Sequence, residues 1–208
     1  MRIGIDFDNT IACYDGVFTA AALERGLIPA DLPHDKNSVR DYLNGSGRKD
    51  EFTELQGYVY GARMDLVACY PGVRDFIGAA RAKSHDIFIV SHKTRHPILG
   101  PQHDLHGAAR GFLDMQKLVG ADGGVPAENI FFELTKEEKV ARAAALGVDV
   151  FIDDLPEILA MSGWPPQMRA ILFDPEGRFS SGEWNGRRFE RRGTWEEISR
   201  VVVEDRAV

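Results

Sequence analysis

The sequence predicts an α/β fold, a parallel sheet of short strands with helices packed on both faces. Two observations predict it. Short uninterrupted apolar runs recur along the chain, at 87–90 (Ile-Phe-Ile-Val), 130–132, 148–152 and 170–173, each the length of a strand buried on both sides. Between them lie stretches with helical patterning, 72–83, 107–119, 135–146 and 155–161. Strand and helix alternating in this way form right-handed β-α-β units, which make parallel sheets. The bulk composition fits one globular domain, or one domain with an insert: 208 residues, 44% hydrophobic and 27% charged.

The first strand is the shortest and the most informative. Ile3 and Ile5 mark it, and it runs directly into Asp6-Phe7-Asp8-Asn9-Thr10. Two acids two residues apart at the end of a buried strand repel in a low dielectric, at a cost of several kcal/mol unless a cation or hydrogen bonds compensate. An Asp-rich turn is the plain reading of such a string. A chain does not need that arrangement to fold, however, so the segment points to a metal or phosphate site.

The stretch 14–70 breaks the rhythm, being far longer than a crossover requires. It reads as a small, mainly helical insert that folds over the strand ends, with helices at 16–25 (stopped by Gly26), 39–43 and 51–60, and a flexible turn at Gly45-Ser46-Gly47. Residues 1–13 and 71–208 are then the core. Pro71-Gly72 restarts it. The strand at 87–90 ends at Ser91, that at 130–132 near Glu133, that at 148–152 at Asp153-Asp154, and that at 170–173 at Asp174-Pro175. The tail 184–192 is basic and polar with a turn at Asn185-Gly186, and 194–202 reads as a closing helix capped by Thr194. The tail receives no function.

In open parallel sheets a ligand sits beyond the carboxyl ends of the strands, where strand order reverses. Asp6, Asp8, Ser91, Asp153 and Asp154 all fall at such ends. Asp153-Asp154 also suits a helix start, with Pro156 in the first turn. That alone leaves the acids of the first strand uncompensated. Lys136 and Lys139 begin the helix at 135–146 and share a face, and Thr135 with Glu138 makes a capping-box pattern.

These motifs resemble those of the haloacid dehalogenase (HAD) superfamily, in its phosphatase branch, with a helical cap inserted after the first strand. The resemblance covers nearly the whole chain: Asp6-Phe7-Asp8-Asn9-Thr10, Ser91, Lys139 (alternatively Lys136) and Asp153-Asp154, together with Pro71-Gly72-Val73. It implies a three-layer Rossmann-like sheet. It implies Asp6 as the nucleophile that forms an aspartyl-phosphate, and Asp8 as the general acid and base. It implies Mg2+ held by the Asp6 carboxylate, the Asp8 main-chain carbonyl and Asp154, with Asp153 holding the lysine or a metal-bound water. Ser91, with the His92 amide, and Thr10 are implied phosphate contacts, and the lysine offsets charge on nucleophile and phosphoryl group. An acid at position 8 argues against carbon–halogen chemistry. Phe132 to Lys139 and Ser91 to Arg95 are also similar to bacterial members placed in surface-polysaccharide pathways.

The expected activity is therefore Mg2+-dependent phosphomonoester hydrolysis on a small phosphorylated metabolite, a sugar phosphate or a nucleotide. Phosphoryl transfer to another acceptor, as in a mutase, and a non-catalytic phosphate-binding module use the same core motifs. His92, Lys93 and Arg95, next to Ser91, are the expected substrate contacts. A net charge of −7 argues against a broad nucleic-acid face. No apolar run reaches membrane-spanning length, and no signal peptide is recognised. With Cys13 and Cys69 too few for a disulfide framework, a cytoplasmic setting is the default expectation. The histidines at 92, 96, 103 and 106 lack metal-ligand spacing. Oligomeric state is not encoded in any of these features.

Overall fold

The first strand becomes the centre of a sheet because both its faces are apolar and one of its residues has no side chain. In the computed structural model, which describes residues 1–120, 123–179 and 182–204, the chain divides into two compact units. One comprises 1–12, 69–92 and 117–204 within the described residues; the other comprises 13–68 and 93–116.

In chain order the strands and helices of the first unit are β1 (Arg2–Ile5), α4 (Val73–Ala82), β4 (Asp86–His92), β5 (Ile130–Glu133), α6 (Lys136–Ala145), β6 (Val150–Asp153), α7 (Pro156–Leu159) and β7 (Arg169–Phe173). They are followed by β8 (Glu183–Trp184), β9 (Arg187–Arg188), β10 (Glu190–Arg192) and α8 (Trp195–Ser199). Short strands β2 (Ala12–Cys13) and β3 (Ala68–Cys69) pair separately. The main sheet runs β10-β7-β6-β1-β4-β5, with its neighbouring pairs parallel. The chain moves outward from β1 through β4 to β5, then returns to the other side of β1 for β6. Strand order thus reverses at β1, between β4 and β6, where a ligand crevice is expected.

Gly4 makes that centre possible. Opposite it in β6 stands Phe151, and a Cβ on Gly4 would lie 2.4 Å from the Phe151 ring. Phe151 instead packs down with Val90, Val140, Ala143, Leu172 and Trp164 into a single apolar cluster. The α6 helix starts at Thr135, whose hydroxyl accepts from the Glu138 amide while the Glu138 carboxylate accepts from the Thr135 amide. This fixes the phase of α6, so that Lys139, Val140 and Ala143 face inward.

Several elements differ from the sequence reading. The edge strand β10 was not anticipated, because its Glu-Arg-Arg run carries no apolar signal; an edge strand tolerates and profits from charge. The expected closing helix divides into α8 and a π-helical segment, Arg200–Glu204. The turn at Asn185-Gly186 joins β8 and β9, both residues taking positive φ (48° and 77°) as a type I′ hairpin requires.

The second unit holds α1 (Val17–Glu24), α2 (Lys36–Gly45), α3 (Lys49–Ala62) and α5 (Leu105–Met115). The helices α1 to α3 lie where helices were expected at 16–25, 39–43 and 51–60, α2 being longer and capped by Asp35, which accepts from the Ser38 amide. The sequence reading gave this insert only 14–70; residues 93–116 also pack within it. The reason lies on α3. Added Cβ atoms on Gly57 and Gly61 would meet Pro97 and His103 at 2.5 Å, so these two glycines let the 93–104 segment lie directly on the helix. The buried Leu105, Ala109, Phe112 and Leu113 of α5 complete the core of this unit.

Candidate active site

Three strand ends meet at one buried carboxylate. Asp6 directly follows β1, its amide donating to the Ile152 carbonyl of β6 at 2.9 Å. Its Oδ1 accepts from the Ser91 hydroxyl of β4 at 2.9 Å and from Lys139 Nζ of α6 at 2.5 Å. The same ammonium donates to Asp153 Oδ2, at the end of β6, at 2.6 Å. Asp153 Oδ1 in turn accepts from the Leu155 amide at 3.0 Å. Both Asp153 oxygens are thereby engaged, one by the lysine and one by the chain entering α7. The Thr10 hydroxyl lies 3.5 Å from Asp6 Oδ2.

The electrostatics follow from burial. The Lys139 side chain is 2% exposed. Burial alone would push its ammonium toward neutrality, but the Asp153 and Asp6 carboxylates outweigh this and hold its pKa above the ordinary lysine value. Asp154 is the opposite case. Burial, then the neighbouring Asp153 and Asp6 carboxylates, raise it well above the usual carboxylate range. Lys139 and Arg178 offset this only in part. At His92, burial first and then the Lys139 and Lys136 charges push the imidazole below its ordinary value.

A cation fits this geometry. Ligand oxygens of Asp6, Asp153 and Asp154 all lie within 4.8 Å of one another, and all three residues are buried. The Asp154 carboxylate takes no hydrogen bond among the described residues, and three acids face a single lysine. Hard oxygen donors around uncompensated negative charge suit a small divalent ion such as Mg2+.

The loop carrying Asp8 is wound tightly. Asn9 takes a left-handed φ of 56°, a conformation Asn tolerates better than most residues. The Ile11 and Ala12 amides both donate to the Phe7 carbonyl, and the Asn9 amide donates to the Ala12 carbonyl. Asp8 is half-buried, and its carboxylate is not one of the clustered acids.

Solved structures with this architecture span nearly the whole chain. A predicted phosphatase from Clostridium acetobutylicum superposes with a TM-score of 0.58 at 14% identity, over 98% of each chain. A HAD-family hydrolase from Deinococcus radiodurans R1, with bound phosphate and sodium, gives 0.58 at 15% identity, over 98% of this chain and 95% of that one. A dehalogenase gives 0.59 at 9% identity, over 97% and 96%. The chain has the HAD fold. Neither a family model nor a curated protein matches its sequence.

Within this HAD fold, the structure gathers Asp6, Ser91, Lys139, Asp153 and Asp154, with Thr10 at the edge of the group. It separates the two candidate lysines. Lys136 is 42% exposed and faces Glu157 at 3.9 Å, whereas Lys139, one turn further into α6, reaches Asp6 and Asp153. His92 ends β4 and is half-buried. Lys93 and Arg95 belong to the second unit, where Lys93 is buried with its Nζ 4.7 Å from the Tyr60 ring centre and Arg95 is exposed. The sequence reading missed two supports of the site. Asp174, buried at the end of β7, accepts from the Arg178 and Phe179 amides at 2.8 and 3.1 Å and so shapes the following loop. Trp195, at the start of α8, donates to the Thr10 carbonyl. The acid at a strand end was a visible signal for the first; nothing local marks the second.

Proposed function

We propose that this protein is a Mg2+-dependent phosphomonoester hydrolase that works through an aspartyl-phosphate on a small phosphorylated metabolite, a sugar phosphate or nucleotide, with saccharide biosynthesis as its setting. The observation that carries the reading is the bonding of Asp6: a buried carboxylate that accepts from Lys139 and Ser91 and lies at the sheet's switch point.

The Asp6 carboxylate attacks phosphorus as the bond from phosphorus to the leaving oxygen breaks. Asp8 gives that oxygen its proton. Asp8 then takes a proton from the water that attacks the acyl phosphate, so that inorganic phosphate leaves and Asp6 is regenerated. Lys139 offsets the charge of nucleophile and phosphoryl group, and the Ser91 hydroxyl, His92 amide and Thr10 hydroxyl bind phosphoryl oxygens. Asp6, the Asp8 carbonyl and Asp154 hold Mg2+, while Asp153 keeps Lys139 in place. The metal supplies charge neutralisation for an incoming phosphate dianion. His92, Lys93 and Arg95 are the proposed substrate contacts.

The test is phosphate release from a panel of sugar phosphates and nucleotides, with and without Mg2+. Metal-dependent release from at least one of them is expected. Binding of Mg2+ and phosphate without turnover of any substrate would replace the enzyme with a phosphate-binding module.

A further inference from the structure

We infer that Arg178 determines substrate specificity by pairing with a second anionic group of the substrate, a carboxylate or a further phosphate, an inference that rests on reading the Asp6 site as a phosphatase centre. Arg178 belongs to the sheet unit and lies on the loop that leaves β7. In the sheet β7 neighbours β6, with Leu172 level with Asp153, so the loop sets out beside Asp154. Its backbone is fixed. The Asp174 side chain is fully buried, and its two oxygens accept separately from the Arg178 and Phe179 amides, at 2.8 and 3.1 Å. The Gly177 amide donates to the Asp174 carbonyl at 3.2 Å, and a left-handed φ of 65° at Gly177 turns the chain back on itself.

The guanidinium is left accessible. The Arg178 side chain is 40% exposed, and its ion pair among the described residues is with the more exposed Glu176, at 3.5 Å. An exposed pair of that length contributes little and gives way to an incoming anion. The guanidinium carbon stands 5.9 Å from the Phe179 ring centre, the outer limit of a cation–π contact. Its charge is nevertheless felt inside the site, where Lys139 and Arg178 are the cations that favour the ionised form of Asp154. Lys139 is already engaged. Together with a divalent ion it balances the ionised Asp6, Asp153 and Asp154, which leaves no positive charge there for a second negative group on the substrate. Arg178 supplies that charge at a distance. Strand β7 stands two places from β1, about 10 Å at the usual strand spacing, an offset that suits a group several bonds removed from the phosphoryl group on Asp6.

The test compares Arg178→Gln, which removes the charge and keeps a polar side chain, with Arg188→Gln, which removes the same charge from the same unit at an 89% exposed position. The probes share one scaffold: glucose 6-phosphate, 6-phosphogluconate with an added carboxylate, and glucose 1,6-bisphosphate with a second phosphate. Wild-type kcat/KM should be about tenfold higher on at least one of the two probes with a second anion than on glucose 6-phosphate. Arg178→Gln should abolish that advantage through KM, with kcat within about twofold; Arg178→Lys should recover part of it, and Arg188→Gln should keep it. The probe that shows the advantage tells carboxylate from phosphate. Equal kcat/KM on the three probes in the wild type, an equal loss on all three in Arg178→Gln, or the same loss in Arg188→Gln overturns the inference. Should the probes not be turned over, they still decide the role of Arg178 by binding in the presence of Mg2+. A probe with a second anion should then raise Tm more than glucose 6-phosphate does in the wild type but not in Arg178→Gln, and equal rises in the wild type refute the inference. The functional reading itself fails only if no phosphomonoester of the wider panel releases phosphate.

Discussion

Replacing Lys139 with Met tests the electrostatic logic of the site directly. The ammonium sits 2.5 Å from Asp6 and 2.6 Å from Asp153, inside a group of three buried acids. Met fills similar volume but leaves these carboxylates without their cation. Removing one partner of a buried ion pair costs about 3–5 kcal/mol, because the remaining charge is uncompensated. With a urea m-value of about 2–3 kcal/mol/M, the unfolding midpoint in EDTA should drop by about 1–2.5 M. Asp153→Asn added to Lys139→Met should recover part of the loss by removing one of the stranded charges. Lys136→Met is the comparison: its 3.9 Å contact with Glu157 is exposed, and such pairs contribute about 0–1 kcal/mol. A Lys139→Met midpoint within about 0.3 M of wild type, or a double variant no more stable than the single, would refute the reasoning.

Four further outcomes follow from the same structure. Asp6→Asn should abolish phosphate release while leaving circular dichroism unchanged, and Asp8→Asn should slow release by about 10²–10⁴-fold, most for substrates with poor leaving groups; near-normal rates in either would remove its assigned role. Mg2+ titrated into the wild type should raise Tm, as a ligand of the folded state does, and Asp154→Asn should abolish most of that rise; an unchanged rise places the metal elsewhere. Gly4→Ala should destabilise by about 1–3 kcal/mol through the Phe151 contact, with partial rescue by Phe151→Leu, both read by urea unfolding. Burial pushes the Cys69 thiol up to about 11, so the reactive thiolate forms only at high pH. In a Cys13→Ser background its alkylation rate should therefore still climb about tenfold per pH unit between 9 and 10.5, where an ordinary thiol of pKa about 8.5 has levelled off; a plateau in that range contradicts the burial.

Much of the sheet unit was legible in the sequence because its signals are local. A strand buried on both faces writes a continuous apolar run, and a helix start writes its cap. The runs at 87–90, 130–132 and 170–173 and the Thr135–Glu138 box therefore located β4, β5, β7 and α6 to within a few residues. Asp6, Ser91 and Asp153 could be assigned to one place since parallel strands bring their carboxyl ends to one edge. Elements without a local signal were not read: β10 is short and charged, and the Trp195 to Thr10 bond joins residues 185 apart.

What the sequence determined by itself is the kind of sheet and the chemical types at its switch point, since both follow from periodicity and from the cost of burying paired acids. Tertiary structure decided the rest. It chose Lys139 over Lys136, because one further helical turn carries the side chain inward to two carboxylates rather than out to solvent. It brought Asp154 beside Asp6 and Asp153 with no hydrogen bond to its carboxylate among the described residues, an arrangement that could hold a cation. It moved 93–116 out of the sheet unit, because Gly57 and Gly61 open the α3 surface to that segment. Each of these outcomes depends on close contact between distant parts of the chain, which residue order alone does not encode.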